Sequence, residues 1–474
     1  MYTFIFSIAF LLLGYLIYSK FIEKLFGADS TKITPAYELQ DGVDYVPMPW
    51  FKIFLIQFLN IAGLGPIVGA VLGAVYGPIA FLWIAIGNVL GGAVHDYLAG
   101  MMSVRQRGES ISEIVGKYLG LNAKQFMRVF TLILMIMVGA VFIKGPANIL
   151  NSMTNDYLTV NFWIWAVFIY YIAATLLPID KLIGRIYPVF GLALLFMAVG
   201  IVYGLFFQTY TIPELTFDSF RNLNANPEKF PVFPMLFVTI SCGAISGFHS
   251  TQSPLMARCI KNEKLGRRVF YGSMITEGVV AMIWAAAGMA FYGGVSELNS
   301  ELIANNGNAT AMVSLISNTM LGKLGGVLAI LGIVAAPITT GDTAFRSARL
   351  IVADFLKYPQ EKIMKRLYIS IPLFAVGFLL TQINFDIIWR YMFWSNQVLA
   401  TIVLWTISVY LIQLKKLYLV TFIPALFMTA VCSTYILIAP EGFQLNHQIS
   451  YIIGILFTLF LALFFVAKTK IKTN

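Results

Sequence analysis

Charge is scarce in this chain. Asp, Glu, Lys and Arg make up 11% of its residues and hydrophobic types 59%, where soluble domains carry about 25% charged and about 45–50% apolar residues. That balance excludes a soluble domain as the bulk of the protein. Cysteine is scarcer still. Cys242, Cys259 and Cys432 are scattered with no CxxC or CxxH spacing, which argues against a disulfide framework or a cysteine zinc site and leaves them as small core residues. There are three histidines and no HExxH motif, so an intramembrane metalloprotease has no ligand pair. The first apolar run, YTFIFSIAFLLLGYLIYS, has no basic residue ahead of it and no small-residue cleavage pattern, and Lys20 and Lys24 follow it. It reads as a retained helix that starts outside the cell.

What fills the sequence is a succession of apolar runs, each long enough to cross a bilayer. Thirteen spans are expected, near 2–19, 51–76, 79–103, 127–150, 161–177, 187–208, 232–256, 269–293, 311–338, 367–383, 387–411, 419–439 and 449–467. The class is an all-α polytopic membrane protein.

The basic residues test this count, because Lys and Arg concentrate in cytoplasmic loops. With the N-terminus outside, most of the 32 basic residues fall inside, in clusters at Lys20 to Lys52, Arg105 to Arg128, Arg258 to Arg268, Arg346 to Arg366, Lys415 to Lys416 and Lys468 to Lys472, with Lys181 and Arg185. Only Lys144, Arg221, Lys229 and Lys323 lie outside, and Arg390 sits near a membrane face. The net charge of +10 therefore reports topology, gives no support to a nucleic-acid partner, and puts the C-terminus in the cytoplasm.

Two spans are interrupted. The run at 51–76 carries Asn60, Gly63, Gly65 and Pro66 at its centre, and the run at 232–256 contains CGAISGFHSTQSP. In hydrocarbon an unpaired backbone group costs several kcal/mol, so such breaks persist only where protein or a watery cavity covers them; a simple Gly/Pro kink is the alternative. Five spans separate the two, an odd number, so two five-helix units would be inverted relative to each other, each opening with a broken helix, as in inverted-repeat transporters. The expected organisation is an extra helix at 1–22, a cytoplasmic loop at 23–49, a first repeat at 50–208, an extracytoplasmic loop at 209–231, a second repeat at 232–411, and two further helices with a basic tail at 412–474.

Four blocks resemble a known family: GPIVGAVLGAVYGPIAFLWIAIGNVLGGAVHDYLAGMMSVRQRGESISEIV at 65–115, FPMLFVTISCGAISGFHSTQSPLMARC at 233–259, YGSMITEGVVAMIWAAAG at 271–288 and PITTGDTAFRSARLIVAD at 337–354. In this order they are similar to the carbon starvation protein A (CstA) family, over about residues 50–370. The resemblance implies a secondary transporter related to the amino acid–polyamine–organocation superfamily, with the leucine-transporter-like five-plus-five fold and a link to peptide and pyruvate uptake. The chain is shorter than the large enterobacterial members.

The breaks supply the expected site. Gly65 and Pro66 suit the start of a half-helix, whose free amides and dipole favour a carboxylate; the Gly63 to Gly65 turn is the expected carboxylate site, and Asn60, one turn away, either reads a solute carbonyl or packs against backbone. In the second break Gly243 and Gly247 permit unwinding, and Ser246, His249, Ser250, Thr251 and Gln252 bring polar groups. Histidine is the side-chain type that ordinarily changes charge near neutral pH, so His249 either serves transport or rests as a neutral imidazole on a carbonyl; the stretch from Ser250 to Ser253 either binds solute or lines the cytoplasmic exit. Glu277 lies within the next span, where a carboxylate costs roughly 3 kcal/mol on insertion scales; it relays protons with His249 or pairs with a facing polar group. His95 and Asp96, adjacent on a helix and about 100° apart, are expected not to form a mutual pair and to act near the membrane surface.

Thr339, Thr340 and Asp342 offer hard oxygen ligands, and the superfamily resemblance implies an ion site closed against the first broken helix, so sodium stands beside the proton as coupling ion. Alternatively Asp342 caps the helix carrying Arg346 and Arg349. Asp386 and Arg390, four apart, are expected to pair on one face as an outer gate or anchor. No other cofactor is expected, and the partners are a small carboxylate solute and the lipid bilayer. The expected function is a cation-coupled symporter importing a solute such as pyruvate or a short peptide across a bacterial inner membrane, with a sodium-coupled amino acid or peptide carrier as the alternative. An intramembrane serine hydrolase built on Ser246 and His249 is the different-class reading, but spacing alone supplies neither mutual geometry nor oxyanion donors.

Overall fold

Helices are the only regular elements among the described residues. The computed structural model describes the chain outside residues 155–156, 177–182, 306, 361, 384 and 474. Among them nine helices are long and apolar enough to cross a membrane: Tyr2–Phe26, Ile79–Arg105, Leu121–Asn151, Arg185–Phe207, Glu263–Phe291, Ile363–Leu380, Ile387–Gln413, Leu419–Ile438 and His447–Thr469. A further span is a bent pair, Trp50–Ile61 and Gly65–Tyr76, whose halves meet at 56°. Val160–Ala174 and Ala309–Gly322 are apolar but shorter.

Both expected interruptions are present. In the first, Pro66 falls in the opening turn of the second half, where it has no amide hydrogen to leave orphaned. In the second, a helix over Val232–Thr239 stops and another begins at Phe248–Ala257, so that CGAISG is non-helical apart from local turns.

Other boundaries shift for local reasons. The first helix runs on to Phe26 because SKFIEKLF continues an apolar stripe, with Ile22 and Phe26 buried, until Gly27 turns left-handed at φ 75°. The expected span at 311–338 is also divided: the chain leaves helical geometry at Gly322, with φ 60°, and the helix after it runs on through a π turn at Ile330–Val334 into Ala335–Leu356. Asp342 is therefore interior to that helix and caps nothing, which corrects the capping alternative. Gly341 is required there, since a Cβ would lie 2.0 Å from the Tyr171 hydroxyl.

Burial separates central from peripheral helices. Within Glu263–Phe291 83% of the apolar window is buried, and within Ile79–Arg105 72%, against 17% for His447–Thr469. The last helix meets lipid over most of its surface, whereas the two carrying Asp96 and Glu277 lie inside the bundle.

Segments assigned by charge to one side also meet one another. On the expected cytoplasmic face Arg105 pairs with Glu263 at 3.1 Å, Arg267 with Glu23 at 3.0 Å, and the Lys416 ammonium donates to the Phe26 carbonyl at 2.6 Å. On the other face the N-terminal amine pairs with Glu214, and Asn299 donates to the Val75 carbonyl at 3.0 Å. Arg390 lies 3.6 Å from Glu441, while the side chain of Asp386, its expected partner, lies outside the described residues.

Candidate functional site

The second break solves the backbone problem that an interrupted helix creates in a membrane. Trp83 donates its indole N–H to the Ile240 carbonyl at 2.8 Å. The Asn88 amide donates to the carbonyls of Gly243, at 2.9 Å, and Met274, at 2.8 Å, and the Gln397 amide donates to Ile245 at 3.0 Å. Asn396 accepts twice: the Gly247 N–H at its carbonyl, 3.2 Å, and the Phe248 N–H at its Oδ1, 2.6 Å. Groups that would cost several kcal/mol if left bare in hydrocarbon are thus paired from two other helices, by side chains and, at the Gly247 N–H, by the Asn396 main-chain carbonyl.

The two breaks touch. A Cβ built on Gly65 would stand 2.2 Å from the Cys242 sulfur, so only glycine admits the contact. Beside it lies a cavity bordered by Gly63 and Gly65 from the first break, Cys242 and Phe248 from the second, and Phe142 and Asn396. It offers about 20 Å³ to water centres, room for about one water molecule and too little for an organic solute. This form of the protein is closed around its centre.

Against the second break runs a chain of buried titratable groups. His95 Nδ1 lies 2.8 Å from Asp96 Oδ1, His249 Nδ1 lies 2.8 Å from Asp96 Oδ2, and His249 Nε2 lies 3.4 Å from Glu277 Oε2. All four side chains are wholly excluded from solvent. The expectation for His95 and Asp96 is corrected here: they do pair, and they sit in the interior. Both side chains are short and their Cα atoms only about 3.8 Å apart, so an angular separation of about 100° does not keep the ring nitrogen from the carboxylate. Cys242 joins the far end, with a ligand atom of each of Cys242, His249 and Glu277 within 4.8 Å of the others. That is close enough to share a proton or a small cation.

The remaining expected residues are dispersed. Gly63 and Gly65 border the cavity. Asn60 is buried near the first break with neither amide atom hydrogen-bonded, and Gln57, one turn earlier, is in the same condition. Ser246 donates to Asn396 Oδ1 at 3.2 Å and makes no bond to His249, so the hydrolase geometry is not assembled. Ser250 donates to the Gly247 carbonyl at 2.6 Å, within its own helix turn. Gln252 turns to Thr251, at 2.9 Å, and Ser347, at 3.4 Å, beside a small cavity that Thr251 and Arg258 border. Thr340 reaches the first broken helix, its hydroxyl 3.2 Å from the Leu59 carbonyl, while Thr339 bonds within its own helix to Ala336 at 2.7 Å. Asp342 accepts from the Tyr187 hydroxyl at 2.5 Å, on a different helix from the break.

Sequence reasoning passed over Trp83, Asn88, Asn396 and Gln397. Their signal was present: Asn88 interrupts the apolar run FLWIAIGNVLGG, and Asn396 and Gln397 do the same in YMFWSNQVLAT.

Family comparison fits this architecture. The model of carbon starvation protein CstA matches residues 1–161 and 148–321, more than half of the chain. The chain belongs to the CstA family. Among its relatives, a membrane protein of Haemophilus influenzae is 45% identical over 352 residues, covering 64% of this chain and 95% of that protein. The peptide transporter CstA of Escherichia coli is 27% identical over 339 residues, covering 58% and 48%, and the pyruvate/proton symporter BtsT of the same organism 28% identical over 337 residues, covering 58% and 47%. The chain thus spans about half the length of these CstA-family transporters. A manganese transporter of Eremococcus coleocola has a similar fold, with a TM-score of 0.50 at 13% identity over 91% of this chain and 99% of that one. Membership of the CstA family, with relatives named as transporters, marks a multi-pass membrane transporter rather than an enzyme.

Proposed function

We propose that this CstA-family chain is a proton-coupled symporter that imports a small carboxylate-bearing nutrient, pyruvate or a short peptide, by alternating access. The observation that carries the reading is the chain Asp96–His249–Glu277, with spacings of 2.8 and 3.4 Å, lying against the second helix break. An intramembrane ionisable group is costly and is expected to serve transport, and here three stand in line. With Asp96 ionised, His249 donates from Nδ1 and turns Nε2 towards Glu277. A proton arriving at Glu277 can pass to that nitrogen, and the resulting imidazolium is held by Asp96.

In this reading the thirteen expected spans form two inverted five-helix repeats at 50–208 and 232–411, with the N-terminus outside and the C-terminus in the cytoplasm of a bacterial inner membrane. The solute carboxylate meets the Gly63 to Gly65 turn, and the unpaired amide of Asn60 reads a neighbouring carbonyl or hydroxyl. Support comes from the contact of the breaks at Gly65 and Cys242 and from a relative that carries pyruvate with protons by its name. The second reading is sodium coupling, favoured by the Thr340 hydroxyl at the Leu59 carbonyl and completed by Thr339 and Asp342.

The test is uptake of labelled pyruvate and a labelled dipeptide into proteoliposomes of the purified protein, under a pH gradient or a sodium gradient imposed separately. Accumulation driven by the pH gradient and lost in His249→Ala supports the proposal. Uptake driven by sodium alone and lost in Thr340→Ala moves coupling to Ala335–Leu356 and overturns the proton relay.

A further inference from the structure

A second cluster of buried charge lies on the cytoplasmic side of the break, outside the chain just described. Arg346 and Arg349 stand on one face of Ala335–Leu356, one and two turns beyond Asp342, and both guanidinium groups are buried. Asp44 reaches them from the loop between the first helix and Trp50–Ile61, and it is itself buried. Its Oδ1 lies 3.6 Å from Arg346 Nη1 and its Oδ2 3.6 Å from Arg349 Nη2.

These contacts are loose. A charge-assisted hydrogen bond spans about 2.7–2.9 Å, and an arginine fork is shaped to hold one carboxylate with two nitrogens. Asp44 instead straddles two forks, and Arg349 Nε and Nη2 make no hydrogen bond, while its Nη1 donates to Gln360 at 2.7 Å. Burial acts to raise the Asp44 carboxyl, but Arg349, Arg346 and Arg258 outweigh it and hold the group below its ordinary range, so it stays ionised. Asp44 and Arg258 border a vestibule of about 640 Å³ that opens on the expected cytoplasmic face, its wall carrying Asp41, Glu109, Glu113 and Asp354 beside Lys357; Arg346 and Arg349 are not on this wall and meet it through Asp44 and, from Arg349, Gln360. The small cavity at Thr251, Ser347 and Arg258 lies between that vestibule and the break.

We propose that Arg346 and Arg349 form a second carboxylate subsite on the cytoplasmic exit route, and that Asp44 fills it as a tethered stand-in until a solute carboxylate displaces it. The inference deepens the transport reading, since it assumes that a carboxylate travels this way. A free carboxylate can take a fork bidentately, which the loop-bound Asp44 does not. Its arrival releases the loop around Asp44, opens the vestibule inwards, and the return of Asp44 shuts it.

The experiment places a cysteine beside the stand-in, as Val43→Cys, in protein reconstituted in nanodiscs, and follows its reaction with a neutral impermeant maleimide against the unsubstituted protein as background. The probes are acetate, pyruvate and the uncharged pyruvamide at equal ionic strength. Acetate and pyruvate should accelerate labelling at least threefold and pyruvamide should not. Adding Asp44→Asn should make labelling fast without any ligand, and adding Arg349→Lys, which keeps the charge but not the fork, should blunt the response to carboxylates. Equal rates with all three probes in folded protein, or slowing by carboxylates, overturns the subsite. Labelling reports on the loop whether or not solute crosses, so a protein that responds to acetate yet accumulates neither pyruvate nor the dipeptide under either gradient refutes the transport reading and retains the subsite.

Discussion

His249 Nδ1 lies 2.8 Å from Asp96 Oδ2 although 153 residues separate them. One residue comes from a broken helix and the other from the middle of Ile79–Arg105, so the bond ties the break to the central bundle. Because His95 addresses the other oxygen of the same carboxylate at 2.8 Å, Asp96 orients two imidazoles at once. An acid that sets ring orientation and an acid that exchanges the proton should respond differently to substitution.

Glu277→Gln is expected to abolish accumulation driven by a pH gradient while leaving exchange of labelled for unlabelled pyruvate at equal concentrations within about threefold of wild type. Exchange returns the carrier in its loaded form and needs no net proton release. Asp96→Asn should impair both modes at least tenfold, because the amide cannot accept from both rings. Counterflow assays on the two variants decide it; intact net accumulation in Glu277→Gln removes that residue from the relay.

The non-helical stretch at the second break depends on Asn88, which donates to two carbonyls. In Asn88→Leu the Gly243 carbonyl, in the non-helical stretch, loses its partner inside the bundle at a cost of about 1–3 kcal/mol, while the Met274 carbonyl, inside the helix Gly272–Phe291, loses a second bond only. The expected result is a melting temperature in detergent several degrees lower, with a larger loss in Asn88→Asp, whose carboxylate has no N–H to donate and faces the carbonyl oxygens as a buried unpaired charge. An unchanged melting temperature for Asn88→Leu means that the Gly243 carbonyl finds another partner.

Much of this arrangement was legible in the sequence because its signals are local. A helix cannot continue through Gly63 to Pro66 or through CGAISG without unpaired groups, so both breaks were visible, and the positive-inside pattern sorted the loops that meet on each face. The Asp96 contact was hidden because helix periodicity describes Cα directions and says nothing of which distant helix approaches. Asn88 and Asn396 were overlooked for a related reason: an amide in an apolar run signals that something needs a partner, but only the fold shows that the partner is the broken backbone. Asp342 is open to reading as a cap because Asp is a favoured N-cap type, whereas the helix already begins at Ala335 and runs through it.

Glycine substitutions separate close approach from mere flexibility. In Gly247→Ala the new Cβ meets the Ala400 backbone nitrogen at 2.2 Å and the Asn396 carbonyl at 2.4 Å. Backbone cannot swing aside as a side chain can, so the change should cost at least about 1–3 kcal/mol from overpacking and disturb the bonds that Asn396 makes to the break. In Gly288→Ala the new Cβ meets Val71 at 3.5 Å, an ordinary contact, and alanine gains about 1 kcal/mol in helix propensity. Melting of the two variants in parallel should show a clear fall for the first and no loss for the second.

On the opposite face Glu214 holds the start of the chain. Its carboxylate pairs with the N-terminal amine and accepts from the Tyr2 amide at 2.7 Å and from the Thr3 amide and hydroxyl at 2.9 and 2.6 Å. Slight burial works to raise the carboxyl, but the amine and the Thr3 and Tyr2 donors outweigh it and bring it down to about 2. A carboxyl depressed on folding stabilises the docked state above its unfolded value, near 4.3, and loses that contribution as pH falls towards about 2. Hydrogen exchange of the first turn should therefore stay slow from pH 7 to about 5 and accelerate, relative to intrinsic rates, on further acidification. Glu214→Gln should show the fast regime at every pH, with a global stability change of about 1 kcal/mol or less because the pair is partly exposed. Identical protection in the two proteins at pH 7 shows that the first helix is held by its apolar packing alone.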